Sequence, residues 1–182
     1  MVVGVMGYQG GSDPHIKALT ALGISCKKIY KPQDLEDMNG LILPGGESSV
    51  QYQYCIAFDI YHSIRKFIAS GKPVFGTCAG AILLSHIDTD KVKGLGLLDI
   101  EVKRNAYGRQ IASGVKTSDN GNQVAFIRAP VITSIGNGVE ILDSYQHRPI
   151  LVKQGNIYGA TYHPELLDVN QENLLYRLFS CS

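Results

Sequence analysis

Cys78 stands in Gly76-Thr77-Cys78-Ala79-Gly80, a G-x-C-x-G pentapeptide set between two apolar runs. Lys72-Pro73-Val74-Phe75 before it is short and apolar enough for a buried strand, and Ala81-Ile82-Leu83-Leu84 after it opens a helix. A strand that turns directly into a helix here lifts one side chain clear of the backbone, because the flanking glycines accept a tight turn. The lifted group is a thiol at the positive end of a helix dipole, where its thiolate is favoured. Such a pattern presents an attacking sulfur. The competing reading of the pentapeptide alone is a cysteine packed as a small hydrophobe.

A sulfur nucleophile needs a base, and the base needs an orienting group. Of five histidines, His62 falls on the polar side of a helix and His147 sits beside Arg148 and Pro149 in a turn. His86 is expected to end the helix after the elbow, where contact with the helix dipole accounts for it. His163 differs, because it closes the strand-like run Ile157 to Tyr162 and is followed by Pro164-Glu165. In an extended segment residues two apart project to one side, so Glu165 is expected to steady the imidazole while its other nitrogen faces Cys78. Pro164 stiffens the link. Taken alone, Glu165 also reads as a capping acid before Leu166-Leu167; the elbow decides for the first reading.

The third group of residues is Leu43-Pro44-Gly45-Gly46-Glu47-Ser48-Ser49. A glycine pair after a strand exposes backbone N–H groups suited to an oxyanion hole. Glu47 is then placed to hold a substrate ammonium group. Ser48 and Ser49 read as capping residues and not as nucleophiles, since neither has a G-x-S-x-G frame.

The elements that must position these groups can be read in chain order. Val2 to Met6 is a strand, 7–11 a loop, and Ser12 or Asp13 is expected to cap a helix with Pro14 near its start. Ile16, Leu19 and Leu22 recur at helical spacing and Gly23 supplies the stop. Ile24 to Tyr30 and Gly40 to Leu43 are further strands, with a short helical turn over Pro32 to Met38. Tyr61, Ile64 and Ile68, with Phe58 and Phe67, form the apolar stripe of a helix that Gly71 ends. Strands and helices alternating through short connections predict a doubly wound α/β sheet, with its binding loops at the carboxyl ends of the strands. From Leu95 onward the chain is β-rich. Strands are expected over Leu97–Val102, Val124–Ile127, Val139–Leu142, Ile150–Lys153 and Tyr158–Tyr162, followed by a helix over about Gln171 to Phe179. The whole predicts a mixed sheet and one domain spanning 1–182.

Composition limits the function classes. In 182 residues, 45% are hydrophobic and 18% charged, and the net charge is +1, so no basic stripe points to nucleic acid. No apolar run is long enough to cross a bilayer. The N-terminus reads as a strand and not as a signal peptide, and the cysteines (Cys26, Cys55, Cys78, Cys181) have no metal-finger spacing. Reduced thiols and a cytoplasmic location are the expectation. Cys26, Cys55 and Cys181 are assigned to packing or incidental exposure.

The elbow, the Pro-Gly-Gly-Glu-Ser loop and the His163-Pro164-Glu165 sequence, in this spacing, resemble a class I (triad) glutamine amidotransferase. Gly7-Tyr8-Gln9-Gly10 with His15, the run Arg104-Asn105-Ala106-Tyr107-Gly108-Arg109-Gln110, and Phe126-Ile127-Arg128-Ala129-Pro130 narrow the resemblance to the glutaminase subunits of pyridoxal 5′-phosphate synthase. It covers nearly the whole chain. Pro14 stands where an acidic residue is usual, and Ser49 to Tyr54 where the family has a threonine-rich, arginine-bearing helix.

The resemblance implies a flavodoxin-like fold with a nucleophile elbow. It implies Cys78 as nucleophile, His163 as base and then acid, Glu165 as orienter, and an oxyanion hole from Ala79 and Gly46. Glutamine would be bound by Gly46, Glu47, Ser48, Arg104, Ile127 and Arg128, with neither arginine singled out for the carboxylate. It further implies no metal or organic cofactor, and ammonia passed to a (β/α)8-barrel synthase subunit in a large hetero-oligomer. The peptide near Gly46 is expected to turn correctly only when that partner binds. The residues also leave open a glutaminase subunit of another amidotransferase, an elbow-cysteine hydrolase, and a non-catalytic subunit on the same fold.

Overall fold

Four near-continuous apolar runs, Val2–Met6 (β1), Gly40–Leu43 (β3), Val74–Thr77 (β4) and Ile157–Ala160 (β11), lie in the middle of one sheet. A parallel sheet covered on both faces needs apolar side chains on both, which is why these runs do not alternate. With Ser25–Ile29 (β2) they run parallel in the order β2-β1-β3-β4-β11. Arg148–Gln154 (β10) and Glu140–Tyr145 (β9) extend the sheet antiparallel, for seven strands in all. The order is that of a doubly wound, flavodoxin-like sheet, as expected. This computed structural model describes residues 1–9, 11–87, 89, 93–104, 113–168, 170 and 173–180.

Successive side chains on a strand face opposite ways, and that alternation divides the core in two. Val3, Val5, Ile42 and Phe75 pack with Leu19, Leu175 and Phe179 on one face, under helices Ser12–Ala21 (α1) and Leu174–Phe179 (α5). Leu41, Leu43 and Val74 pack with Cys55, Ile60, Ile64 and Leu83 on the other, under Ser48–Ala57 (α2), Ile60–Ala69 (α3) and Ala79–Leu84 (α4). Two small ribbons complete the described chain. Ile100–Lys103 (β5) pairs with Val131–Ile135 (β8), and Ser113–Thr117 (β6) with Gln123–Ile127 (β7).

Several expectations change. No side chain caps α1: Gly11 occupies the cap position, and the Ser12 hydroxyl donates to the carbonyl of Gln9 at 3.2 Å. Phe58 does not join the stripe of α3; it is exposed and stacks with Tyr8 and Tyr54, ring centres 5.9 and 5.7 Å away. The helix after the elbow stops at Leu84, so His86 lies beyond it, with Nε2 3.6 Å from Asp99 Oδ1. The strand expected over 97–102 begins only at Ile100, and the last helix only at Leu174. Gly10, 105–110, Gln171 and Cys181, which entered the sequence reading, lie outside the described residues. Among the described residues no helix is long and apolar enough to cross a membrane.

Candidate active site

The parallel strands β1, β3, β4 and β11 deliver their loops to one end of the sheet. Cys78 follows β4 directly and starts α4 with φ 48° and ψ −103°, a conformation costly for a side-chain-bearing residue. A methyl group at Gly76 would stand 2.7 Å from the backbone of Gly80, and one at Gly80 would overlap the carbonyl oxygen of Leu43. The elbow therefore needs both glycines. Cys78 N–H donates to Ala160 O at 2.8 Å, which straps the elbow to the end of β11. Ala79 is the first residue of α4, where N–H groups have no intrahelical acceptor.

His163 Nδ1 lies 2.7 Å from Glu165 Oε1, with both side chains largely buried. The contact matches the expected pairing, but the backbone reason differs. Pro164–Leu166 forms a 3-10 turn instead of an extended link, and that turn carries the carboxylate back to the ring. A carboxylate can only accept, so Nδ1 carries the proton in this pair. His163 N–H is held by Ala125 O at 2.8 Å, fixing the turn to β7.

Burial pushes the His163 imidazole down, but its interactions with the Cys78 thiol and the Glu165 carboxylate outweigh this and raise it to about 10. Nε2 nevertheless makes no hydrogen bond of ordinary geometry, so the thiol acts on the ring by proximity. Burial pushes Glu165 up. The hydrogen bond from His163, with the electrostatic pull of the neighbouring His15 and His163 rings, more than offsets it, and Glu165 ends below the usual carboxylate range. His163 and Glu165 form a buried, charged pair beside the Cys78 sulfur, an arrangement of the kind that acyl transfer requires.

The loop after β3 packs on this array. Gly46 has φ 143°, and a side chain there would overlap Gln9 Oε1. Glu47 N–H donates to that same oxygen at 2.5 Å, while Gln51 Nε2 holds Pro44 O at 3.0 Å. Glu47 Oε1 accepts from Arg104 at 2.9 Å and from the Ser49 hydroxyl at 3.1 Å. Ser48 opens α2 fully buried, and its hydroxyl has no hydrogen-bond partner among the described residues. Ile127 ends β7 with its carbonyl 3.9 Å from Cys78 Sγ, and Arg128 follows in the left-handed region at φ 46°. Direct contacts thus join His163 to Glu165, Cys78 to Ile127 and, separately, Glu47 to Arg104, with Cys78 in proximity to His163.

Two residues were not assigned roles from sequence. Gln9 holds the Gly46–Glu47 peptide. His15 is fully buried, with Nε2 3.0 Å from Thr77 Oγ1 and 3.4 Å from Glu165 Oε2. A signal for His15 exists in the sequence: Ala18, Leu19 and Leu22 follow it at helical spacing, which puts it on the apolar face of α1. No such local signal exists for Gln9.

Comparison with known proteins gives consistent matches. Residues 5–180 match the SNO glutamine amidotransferase family. The pyridoxal 5′-phosphate synthase subunit PdxT of Thermotoga petrophila is 44% identical over 175 residues, 92% of this chain and 93% of that protein. The subunit of the same name from Koribacter versatilis is 43% identical over 172 residues, 91% of this chain and 88% of its own. A crystal structure of a glutamine amidotransferase, 38% identical, superposes with a TM-score of 0.88 and covers 98% of this chain and 97% of its own. A glutamine amidotransferase from Thermotoga maritima shares the fold at 16% identity, with a TM-score of 0.65 and 91% and 76% coverage.

Proposed function

The chain belongs to the SNO glutamine amidotransferase family, and on that premise we propose that Cys78, His163 and Glu165 are its catalytic triad. The activity is that of a glutaminase, which hydrolyses L-glutamine to glutamate and ammonia as a subunit of a pyridoxal 5′-phosphate synthase. The observation that carries the residue assignment is the 2.7 Å contact of His163 with Glu165 beside a cysteine held at φ 48°.

The steps follow from the geometry. The sulfur of Cys78, its proton passed to His163 as base, attacks the side-chain amide carbon of glutamine, and the carbonyl oxygen becomes an oxyanion. Ala79 N–H at the start of α4 and a donor from the Gly46 loop stabilise it. His163, charged at neutral pH, gives its proton to the departing nitrogen, so ammonia leaves and a glutamyl thioester remains. His163 then takes a proton from water, the hydroxide adds to the thioester, and the thiol and glutamate are released. Glu165 keeps the ring oriented and stabilises its charge throughout.

Glutamine binding uses the Glu47–Arg104 pair. Glu47 receives the α-ammonium, and Arg104 or Arg128 the α-carboxylate, with Ser48 and Ile127 lining the site through the backbone. In the Glu47–Arg104 pair each side chain stands in for half of the zwitterion. Both side chains are partly exposed, so the pair itself contributes about 1 kcal/mol or less.

The whole of 1–182 acts as one glutaminase domain in the cytoplasm. Its partner is a (β/α)8-barrel synthase subunit, in a large hetero-oligomer that receives the ammonia away from water. Support for partner control comes from Glu47 N–H, which is engaged by Gln9 and not free for an oxyanion. The decisive assay is glutamate release from L-glutamine by the purified chain with a matching synthase subunit, for wild type and Cys78→Ala. Release by wild type and none by the variant is expected; no release by wild type would refute the assignment.

A further inference from the structure

Glu165 gives one carboxylate oxygen to His163 and keeps the other inside the protein. Oε2 is buried and makes no hydrogen bond of ordinary geometry among the described residues. Facing it at 3.4 Å is Nε2 of His15, which also stands 3.0 Å from the hydroxyl oxygen of Thr77, the residue immediately before the nucleophile. His15 belongs to α1, which packs against the 3-10 turn that carries Glu165.

We infer that His15 is a positioning residue of the glutaminase reaction. Its neutral imidazole, protonated at Nε2, ties the second oxygen of Glu165 and the hydroxyl of Thr77 to one rigid donor. This rests on the reading of Cys78, His163 and Glu165 as the triad.

The tautomer follows from what surrounds the ring. With the proton on Nδ1, the lone pair of Nε2 would face a carboxylate oxygen, and a buried N–H would be left without an acceptor, since Nδ1 has no partner among the described residues. With the proton on Nε2, one N–H points between two acceptors and only a lone pair is orphaned. The charge state follows from burial. Desolvation lowers the His15 imidazole to about 4, the Glu165 carboxylate pulls it back up by less, and the His163 ring lowers it further. His15 is therefore uncharged at neutral pH.

Neutrality has a purpose in this arrangement. A second imidazolium on Glu165 would compete with His163 for the carboxylate charge and weaken the base. A neutral donor fixes the oxygen in space and leaves the charge to His163. Through Thr77 the same donor ties that carboxylate to the last residue of β4, so orienter and nucleophile share one reference point.

The test uses the full chain with its synthase subunit. His15→Leu fills the site without a donor, and His15→Gln places an amide N–H near the position of Nε2. Expected is a loss of roughly 10–100-fold in kcat for His15→Leu, the size seen when an orienting outer partner is removed, with KM little changed and most of the loss recovered in His15→Gln. An unchanged kcat in His15→Leu, a loss confined to KM, or equal losses in both variants would overturn the inference. In the wild type, nitrogen-15 NMR of the imidazoles should show His15 neutral with its proton on Nε2 at pH 7. An imidazolium or the Nδ1–H form would also overturn it, whether or not the variants fold. An inactive wild type in the same assay refutes the triad reading itself, whereas an active wild type with unaffected variants refutes only the role of His15.

Discussion

Gly45 and His163 are in backbone-to-ring contact: a Cβ on Gly45 would stand 2.6 Å from Cε1 and 3.3 Å from Nδ1 of the imidazole. Carbon atoms do not approach so closely without strong repulsion, and the ring is not free to retreat because Nδ1 is tied to Glu165. The first glycine of the loop after β3 thus sets the position of the His163 ring.

Gly45→Ala is accordingly a catalytic lesion more than a folding one. A displacement near 1 Å at a reacting group costs on the order of 100-fold, so kcat/KM for glutamine should fall by about that factor. Circular dichroism should stay that of the wild type. Near-normal kcat/KM in the variant would contradict the contact.

Glu165→Gln keeps the shape of the orienter and removes its charge. The amide can present a donor to Nδ1, which selects the wrong tautomer of His163, and the imidazolium loses its counter-charge. A fall in kcat on the order of 10²–10⁴-fold is expected, measured as ammonia release with synthase present.

Glu47→Gln and Arg104→Met each remove one half of the ion pair that we propose meets the glutamine zwitterion. Hydrogen bonds to charged groups contribute about 1.5–3 kcal/mol, so KM should rise roughly 10- to 100-fold with kcat changed far less. A drop in kcat at constant KM would place these side chains elsewhere in the reaction.

Stability should depend on pH through His15. Its folded value is about 4 against 6.5 for the ordinary group, because burial disfavours the charged ring. Between those values the unfolded chain binds the extra proton, so stability rises with pH and is lost as pH falls from about 6.5 to about 4. The contribution is on the order of 3 kcal/mol. Urea unfolding at both ends of this window should show a smaller loss for His15→Gln than for the wild type; identical losses would contradict it.

Partner control is checked by comparing turnover with and without the synthase subunit. Glu47 N–H is engaged by Gln9 at 2.5 Å in the isolated chain, so glutaminase activity should rise markedly when the partner binds. Equal turnover in the two conditions would remove the argument for a partner-turned peptide.

Much of this site was legible in the sequence, and for local reasons. The elbow announces itself because strand, glycine-flanked cysteine and helix are contiguous. The Gly45-Gly46 loop and His163-Pro164-Glu165 likewise carry their meaning in neighbouring residues. The pairing of His163 with Glu165 was anticipated through the wrong backbone, since Pro164 opens a 3-10 turn that an alternation argument does not see. β6 escaped because its residues are mostly exposed and show no buried alternation, and β8 because only its first two residues are buried. Phe58 misled because apolar spacing does not distinguish a core face from an exposed stack on Tyr8 and Tyr54. His15 meets residues 62 and 150 positions away, and no periodicity within α1 encodes Thr77 or Glu165.

The overlap that a side chain at Gly80 would make with the carbonyl of Leu43 means that the elbow helix and the strand feeding the oxyanion loop touch main chain to main chain. The spacing between sulfur and loop is therefore set by atoms common to every amino acid. Substitutions among the surrounding apolar residues can erode or improve thermal tolerance while leaving that spacing alone. A lineage carrying this elbow is free to vary its core, provided that Gly80 and the strand carbonyl it rests on stay as they are.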